Sequence, residues 1–321
     1  MGERMPRAII VGATGQDGTL LYQLLEEKKY QLFGIGRNRI ITNIDTWMDT
    51  NSVNIGDYQQ VAAIVQNIQP DEIYHLAAIH QSSQDPVPDP VSLFHQSYNV
   101  NVLSLFNFLE AIRILSPKTR LFYAASSHLF GKPMTVPQDE TTLINPLSIY
   151  GITKASGLYL CRAYRSMHKV FASVGILYNH ESWLRREEFI SRKIVQGVVR
   201  CKADPSQRLI LGDLGGEVDW GFAPDYVDAI QRILSLEDPD DFVIATGEKH
   251  TVEEFARIGF EAVGLDWREF VEEQREIITR PSVPLIGNPG KLIRKTGWRR
   301  SLDFSGLVQT LVKKEGEAHE R

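Results

Sequence analysis

Between residues 7 and 179, short apolar runs alternate with longer stretches in which apolar residues recur every three or four positions. Uninterrupted runs of β-branched and aromatic residues are typical of strands buried on both faces, and the helical period is typical of the helices that cover them. The pattern therefore predicts an α/β fold with a doubly wound parallel sheet. Strands are expected at 7–13, 31–37, 72–78, 120–126 and 171–179, and helices at 20–28, 58–68, 102–115 and 153–167.

After residue 179 the pattern changes. Charged helices are predicted at 189–200 and 251–263, with an apolar strand at 241–247 between them. We therefore expect residues 1–178 to form the main domain and residues 179–321 to form mainly a smaller lobe, some of whose segments return to the main domain.

Composition narrows the class of protein. The chain has 321 residues, of which 43% are hydrophobic, so it can bury a large core. Its formal net charge of -5 gives no positive field for nucleic acid, and we expect no nucleic-acid partner. Cys161 and Cys201 lack the spacing of a disulfide framework or a zinc site, so we expect no metal and a reducing cytoplasm. The first apolar run leads straight into a glycine-rich turn, which predicts a strand rather than a membrane span.

The first chemical motif is the segment IIVGATGQDG, which follows the first predicted strand. Gly12, Gly15 and Gly18 have the spacing of a turn that brings the backbone close to a pyrophosphate at a helix N-terminus. The motif predicts a dinucleotide site in which Gln16 and Asp17 also take part, and it makes residues 1–178 a Rossmann-type NAD(P)-binding domain.

The end of the second strand bears on the choice of cofactor. An acidic residue there would bind the 2′-hydroxyl of the NAD ribose, but the segment GIGRNR carries Arg37 and Arg39. Guanidinium groups suit a 2′-phosphate, so the sequence favours NADP. NAD remains the alternative, in which both arginines are ordinary solvated loop charges.

A second motif, SIYGITK, places Tyr150 and Lys154 four residues apart. This spacing puts both side chains on one face of a helix that Pro146 helps to begin. We expect Lys154 to bind the nicotinamide ribose and to lower the pKa of Tyr150, so that the phenol can act as a base.

Together with the glycine triplet, the strand at 120–126 and Asn101, this motif resembles the extended short-chain dehydrogenase/reductase superfamily. The resemblance makes Asn101 a further cofactor-site residue. The segments TGQDG, GILYNHES, FISRK, DWGFAPDYVDA, FVIATGE and GNPGK, in this order, are similar to the pattern of the GDP-mannose 4,6-dehydratase family.

The resemblance implies an NADP-dependent enzyme that oxidises C4 of a hexose, removes water across C5 and C6, and reduces C6. Ser126, Tyr150 and Lys154 match the residues of the oxidation step. The smaller lobe would then cover a GDP-sugar, and the family generally forms homodimers or homotetramers. The positions implied for substrate binding are Ser127, Asn179, Arg185, Lys193 and Arg280.

The segment FYAASSHLFG departs from the family, because His128 stands where the family has the glutamate that removes the C5 proton. A neutral imidazole can accept a proton near pH 7, so His128 is a candidate base. The alternative is that His128 only packs in a site that no longer eliminates. The loop at 77–90, which contains His80, also differs, and Glu217 stands near the position of a family arginine.

Several functions remain open from the sequence. The first is the 4,6-dehydratase, and the second is a GDP-sugar 4-oxidase, 4-keto-reductase or epimerase that has kept only the redox chemistry. A non-catalytic dinucleotide-binding paralogue is a third, but the presence of both Tyr150 and Lys154 argues against it.

Overall fold

The computed structural model describes residues 4–37, 39–43, 53–80, 89–277 and 285–320. Its strands are β1 (Arg7–Val11), β2 (Gln31–Ile35), β3 (Ile40–Thr42), β4 (Glu72–His75), β5 (Arg120–Ser126), β6 (Ala172–Leu177), β7 (Asn179–Glu181), β8 (Leu209–Leu211), β9 (Glu217–Val218), β10 (Trp220–Phe222), β11 (Asp241–Ile244), β12 (His250–Thr251) and β13 (Val271–Glu273). Its α-helices are α1 (Gln16–Glu27), α2 (Tyr58–Ile68), α3 (Pro90–Tyr98), α4 (Ser104–Leu115), α5 (Ile149–His168), α6 (Ile190–Ala203), α7 (Ala223–Leu234), α8 (Val252–Glu261), α9 (Gly290–Thr296) and α10 (Phe304–His319).

The main sheet has seven strands in the order β11-β6-β5-β4-β1-β2-β3. Every pair is parallel except β2 with β3, so the predicted doubly wound α/β fold is confirmed. The antiparallel pairing of β2 with β3 follows from the short connection between them. Only residues 36–39 separate β2 from β3, and a parallel return needs a crossover of a dozen residues or more.

The apolar runs pack as their pattern predicts. In β1, Ile9 and Val11 belong to a core on one face of the sheet, while Ala8 and Ile10 belong to a core on the other face. Successive side chains of a strand point to opposite faces, so a strand covered on both sides must be apolar throughout. Burying a side chain such as Ile9 stabilises the fold by about 2 kcal/mol relative to leaving it exposed.

A third core lies between α6, α8 and α10, with Trp220, Phe255 and Phe304 at its centre. The strand β11, although it comes after residue 178, pairs with β6 at the edge of the main sheet. The predicted domain boundary at residue 178 stays a prediction.

Among the described residues there is no helix with the length and apolar character needed to span a bilayer.

The strand order reverses around β1, which lies between β2 and β4. In open α/β sheets such a reversal leaves a crevice at the carboxyl ends of the strands, where ligands bind. The glycine-rich segment follows β1 directly, so the fold brings this segment to the crevice.

Candidate active site

A cleft of about 690 Å³ opens at the carboxyl ends of β1, β4, β5 and β6. It brings together most of the residues that the sequence analysis selected for cofactor, substrate and catalysis. These residues are Gly12, Gly15, Gln16, Asp17, Gly18, Arg37, Ser126, His128, Tyr150, Lys154, Asn179 and Arg185.

The other predicted site residues are not among the described residues that line the cleft. Arg39, Asn101, Ser127 and Lys193 are described by the structure but do not line the cleft. Arg280 lies outside the described residues.

The glycine-rich turn has the shape that a pyrophosphate requires. Gly12 has φ +96°, and a Cβ added to it would lie 2.7 Å from the Ala77 nitrogen. A Cβ on Gly18 would overlap the Gly12 carbonyl oxygen. A Cβ on Gly15 would meet only the Gly12 oxygen, at 3.4 Å, and would otherwise fill the cradle at the N-terminus of α1. Gly12 and Gly18 are therefore needed by the turn itself, whereas Gly15 suits the close approach of a ligand.

The two arginines after β2 differ in position. Both are exposed, but only Arg37 lines the cleft. A guanidinium at the end of β2 fits a phosphate on the adenosine ribose, since this is where such a strand meets the ribose. The residues present therefore fit a dinucleotide, and Arg37 lines the cleft at the end of β2.

Gln16 and Asp17 line the cleft and also form hydrogen bonds with the segment that begins with β7. The Gln16 side-chain amide donates to the His180 carbonyl oxygen at 3.1 Å, and its oxygen accepts from Ser182 at 2.9 Å. Asp17 accepts from His180 Nε2 at 2.9 Å. These contacts hold the segment that begins with β7 against the first turn of α1.

His180 is an imidazolium in this arrangement. Its Nδ1 lies 2.6 Å from the Tyr178 carbonyl oxygen, and its Nε2 faces the Asp17 carboxylate. Both partners only accept hydrogen bonds, so both ring nitrogens must donate. Burial by itself would lower the pKa of His180, but the charge of Asp17 outweighs it and the pKa is raised. Burial would likewise raise the pKa of Asp17, but His180 lowers it.

Tyr150 and Lys154 lie on the first turns of α5, which Ser148 caps by accepting from the Gly151 amide at 3.0 Å. The expected lowering of the Tyr150 pKa by Lys154 is wrong for the protein alone, in which the pKa of Tyr150 is raised. Burial raises the pKa of Tyr150 to about 12, partly offset by a hydrogen bond with Ser126. Burial also lowers the pKa of Lys154 to about 7, and its ammonium group donates to the Ala124 carbonyl oxygen at 2.7 Å.

His128 lies on a short 3₁₀ turn, Ser127–Phe130, that follows β5. The Ser126 hydroxyl accepts from the His128 amide at 3.3 Å, so the serine that faces Tyr150 also caps this turn. The imidazole is exposed to the interior of the cleft, and its ring centroid lies 5.6 Å from that of Tyr150. The surrounding walls of the cleft lower its pKa through desolvation, which keeps it neutral at pH 7.

His80 was predicted only as part of an altered loop and not as a site residue. Its ring packs edge-on against Tyr150, with centroids 4.5 Å apart, and stacks on Phe189 at 5.4 Å. It lies 5.9 Å from the His128 ring. The only available signal was its position shortly after β4, because the ends of neighbouring parallel strands meet at one edge of the sheet.

Asn101 lies on a π-helical turn, Asn99–Leu103, and is fully buried. Its oxygen accepts from the Ile79 amide at 2.9 Å, and its amide group donates to Thr153 at 3.0 Å. Asn101 therefore ties the segment after β4, which contains His80, to the helix that carries Tyr150.

Two of the residues predicted for substrate binding, Asn179 and Arg185, line the cleft. Asn179 is exposed on β7, and the Arg185 guanidinium lies 3.7 Å above the Phe189 ring and 3.2 Å from Glu181. Lys193 is on α6, where burial lowers its pKa. In the part of the chain that the structure describes, no three His, Cys, Asp or Glu side chains are grouped to bind a metal ion.

Comparisons with known proteins agree with this architecture. A family model described as GDP-mannose 4,6 dehydratase matches residues 9–311. GDP-mannose 4,6 dehydratase 2 of Arabidopsis thaliana is 36% identical over 338 residues, covering 98% of this chain and 88% of that protein. GDP-mannose 4,6-dehydratase of Yersinia enterocolitica is also 36% identical, covering 96% and 93%.

Solved structures share the fold at lower identity. RMD from Pseudomonas aeruginosa, complexed with NADPH, superposes with a TM-score of 0.81 at 17% identity and covers 98% of this chain and 100% of that one. The dTDP-glucose 4,6-dehydratase of Bacillus anthracis, in complex with NAD, gives 0.80 at 17% identity with 98% of both chains covered. From the family match and the sequence relatives, the chain belongs to the GDP-mannose 4,6-dehydratase family and is an NAD(P)-dependent nucleotide-sugar enzyme of the extended short-chain dehydrogenase/reductase type.

Proposed function

We propose that this protein is an NADP-dependent GDP-hexose 4,6-dehydratase in which His128 replaces the glutamate base of the family. One observation carries the proposal. The neutral imidazole of His128 lines the same cleft as Tyr150, 5.6 Å away between ring centroids. A base that must act on C5 immediately after C4 is oxidised has to lie beside the group that oxidises C4.

NADP, when bound, would accept a hydride from C4 and return it to C6. Gly15 and the N-terminus of α1 would hold its pyrophosphate, Arg37 its 2′-phosphate and Lys154 its nicotinamide ribose. These assignments rest on the fit of the cradle and on the family resemblance. The assignments of Arg39 and Asn101 to the cofactor stay predictions.

Tyr150 would take the proton of the C4 hydroxyl, with Ser126 bridging the phenol and the sugar. A pKa of about 12 means that this step needs added positive charge close to the phenol. The charge of Arg185 lowers the pKa of Tyr150, and the amino group of Lys154, 5.8 Å from the Tyr150 ring centroid, would add to that charge when it is protonated.

His128 would then remove the C5 proton, which the neighbouring 4-keto group makes acidic. Because burial lowers the pKa of His128, its base form predominates at neutral pH. We expect the acidic limb of the pH profile for elimination to lie below pH ~6.5, the ordinary value for histidine.

The test is to incubate the protein and NADP with GDP-mannose in deuterated water and to follow the sugar by mass spectrometry and NMR. We expect a 4-keto-6-deoxy product with deuterium at C5. In His128→Ala, elimination should fall ~10²- to 10⁴-fold while single-turnover NADPH formation persists. His128→Glu, which restores the carboxylate of the family, should keep elimination. The matched control is His95→Ala, an exposed histidine on α3.

A second candidate function is a GDP-sugar 4-oxidase, 4-keto-reductase or epimerase without elimination. The observation that favours it is that no carboxylate occupies the family's base position, which holds His128. NADPH that accumulates without dehydration, or activity only with a 4-keto-sugar and NADPH, would establish this function and refute the dehydratase.

Substitution of Arg37 and Arg39 tests the preference for NADP over NAD. We expect Arg37→Ser to weaken NADP binding by ~10- to 100-fold, the range for a lost charge-assisted hydrogen bond, with little change for NAD. Arg39→Ser is the matched control, because Arg39 is also exposed but does not line the cleft. Equal affinities of the wild-type protein for NAD and NADP would contradict the assignment.

The GDP moiety is supported by the family and by two groups that line the cleft, Asn179 and Arg185. A titration in which UDP- or dTDP-sugars bind as tightly as GDP-mannose would refute it. The roles of Ser127, Lys193 and Arg280 in substrate binding stay predictions.

The family resemblance also leads us to propose a homodimer or homotetramer, which light scattering in solution would test. A reducing compartment such as the cytoplasm suits the two buried free thiols, Cys161 and Cys201. Oxidation of either thiol in protein isolated from cells would argue against that compartment.

A further inference from the structure

His80 lies at the reaction end of the cleft, but the proposed function gives it no task. Its imidazole touches the ring of Tyr150 and faces that of His128, so two imidazoles stand beside the phenol. Stacking on Phe189 and the bond from the Ile79 amide to Asn101 hold this side chain in place. An imidazole fixed beside reacting groups is available for proton transfer.

The surroundings limit how many protons the two imidazoles can carry. Burial lowers the pKa of His80 to about 3, and the nearby charges that lower it further belong to His128, Arg185, Lys154 and Arg186. All of these neighbours are cationic or can become so. Because like charges close together cannot both ionise readily, His80 and His128 hold at most one proton between them near pH 7.

Elimination of water needs a base at C5 and an acid at the C6 oxygen. A carboxylate has two oxygens on one side, both of which can face the sugar, so a single glutamate can take a proton at one place and deliver it at another. The two nitrogens of an imidazole point in different directions, so one nitrogen faces the sugar and the other faces away. A histidine at the base position can return the proton only from the nitrogen that faces the sugar, whereas a second imidazole beside it offers a separate donor for the C6 oxygen.

We propose that His80 is a second catalytic residue, which donates to the departing C6 oxygen the proton that His128 removes from C5. The inference rests on the proposed dehydratase function and deepens it. After C4 is oxidised, His128 takes the C5 proton, and the electron pair of the C5–H bond is delocalised onto the C4 carbonyl oxygen. The proton passes from His128 to His80, directly or through one water molecule.

In the next step the C6 oxygen leaves as water. The electron pair on C5 forms the C5=C6 double bond, and the C6–O bond breaks with its electron pair on oxygen. That oxygen takes the proton from His80 and leaves as water. Both imidazoles are neutral again, and no further reactant is consumed.

The test uses His80→Phe, which keeps an aromatic ring between Tyr150 and Phe189 but removes both nitrogens. In deuterated water we expect this variant to oxidise C4 and to exchange the C5 proton, because His128 is intact. Dehydration of GDP-mannose should fall ~100-fold or more, as for the loss of a general acid.

A second substrate separates proton delivery from positioning. GDP-6-deoxy-6-fluoromannose loses fluoride, which leaves without needing a proton. We expect His80→Phe to release fluoride at nearly the wild-type rate although it fails on the 6-hydroxyl substrate. His80→Gln, which keeps a polar group but cannot relay a proton, should give the same pattern and guards against misfolding of the first variant. His95→Phe, an exposed histidine on α3, is the matched control.

The outcomes are distinct. If both His80 variants dehydrate GDP-mannose at the wild-type rate, or slow both substrates equally, His80 does not deliver the proton and the inference is wrong while the dehydratase function stands. If the wild-type protein forms no 4-keto-6-deoxy product, the proposed function fails and the role of His80 fails with it.

Discussion

Three histidines line one cleft, and the pKa of His180 is shifted in the opposite direction to the pKa values of His80 and His128. The pKa of His180 is raised because it faces the carboxylate of Asp17, whereas the pKa values of His80 and His128 are lowered because burial acts on them without such a partner. Burial is the largest single influence on all three side chains. The presence of a carboxylate therefore decides whether a histidine here is a fixed cation that holds the fold or a neutral base available for chemistry.

The largest change that would break this contrast is Asp17→Asn, which removes the carboxylate partner of His180. We expect the free energy of unfolding at pH 5.5 to fall by about 3 kcal/mol, because the remaining charge is left largely buried and unpaired. The pKa of His180 should fall below 6.5. Urea unfolding and NMR titration of the imidazole measure the two effects.

The pH dependence of this effect has a definite sign. Asp17 has a lowered pKa, so its contribution is present above pH ~3.8 and is lost at lower pH. His180 has a raised pKa, so its contribution is complete below pH ~6.5 and is lost as the pH rises through the folded-state value. The difference between Asp17→Asn and wild type should therefore be greatest between these limits, and a difference that grows above pH 8 would contradict the ion pair.

The reverse experiment gives His80 a carboxylate. In Phe189→Glu the aromatic ring that stacks on His80 is replaced by an acid, and the pKa of His80 should rise by about 1 to 3 pH units. NMR titration measures the shift. Phe189→Gln is the matched control, since it removes the ring without adding charge, and an equal rise in both variants would show that the lost stacking rather than the charge is responsible.

Acid should destabilise the protein through its neutral buried histidines. His75 and His80 both have pKa values of about 3, so between pH 6.5 and 3 the unfolded chain binds more protons than the folded one. We expect stability to fall on acidification, by up to about 1.4 kcal/mol per pH unit for the fully buried His75 and by less for His80, which solvent reaches. Urea unfolding at several pH values tests this. If the free energy of unfolding of His80→Phe changes with pH as steeply as that of the wild type, His80 does not contribute to the effect.

The smallest effect is expected at the surface. Asp228 pairs with Arg232 at 2.6 Å, but both side chains are solvated. Asp228→Asn should change the free energy of unfolding by about 0.5 kcal/mol or less, because exposed ion pairs are screened by water. It serves as the matched control for Asp17→Asn, and a loss as large as that of the cleft variant would mean that the carboxylate at Asp17 has no special role.

Much of the architecture could be predicted from local pattern. The apolar runs at β1, β4, β5 and β6 marked strands buried on both faces, and the spacing of Tyr150 and Lys154 placed both on one helix. Boundaries were less exact. Helix α1 begins at Gln16, four residues before the predicted start, since glycine and polar residues at a helix N-terminus interrupt the apolar period.

The antiparallel strand β3 and the π-helical turn before α4 were not predicted. The first is decided by the length of the connection after β2, and the second by the hydrogen bonds of Asn101, which join residues far apart in the chain. Neither leaves a periodic signal in the amino-acid pattern.

The sequence by itself determined the fold class, the glycine cradle, the tyrosine and lysine pair and the family, because each depends on residue types at short fixed spacings. The tertiary structure decided which histidines meet. Asp17 and His180 are 163 positions apart, and His80, which follows β4, meets Tyr150 on helix α5. Charge state depends on burial and on the nearest opposite charge, and both are properties of three-dimensional packing that no local pattern contains.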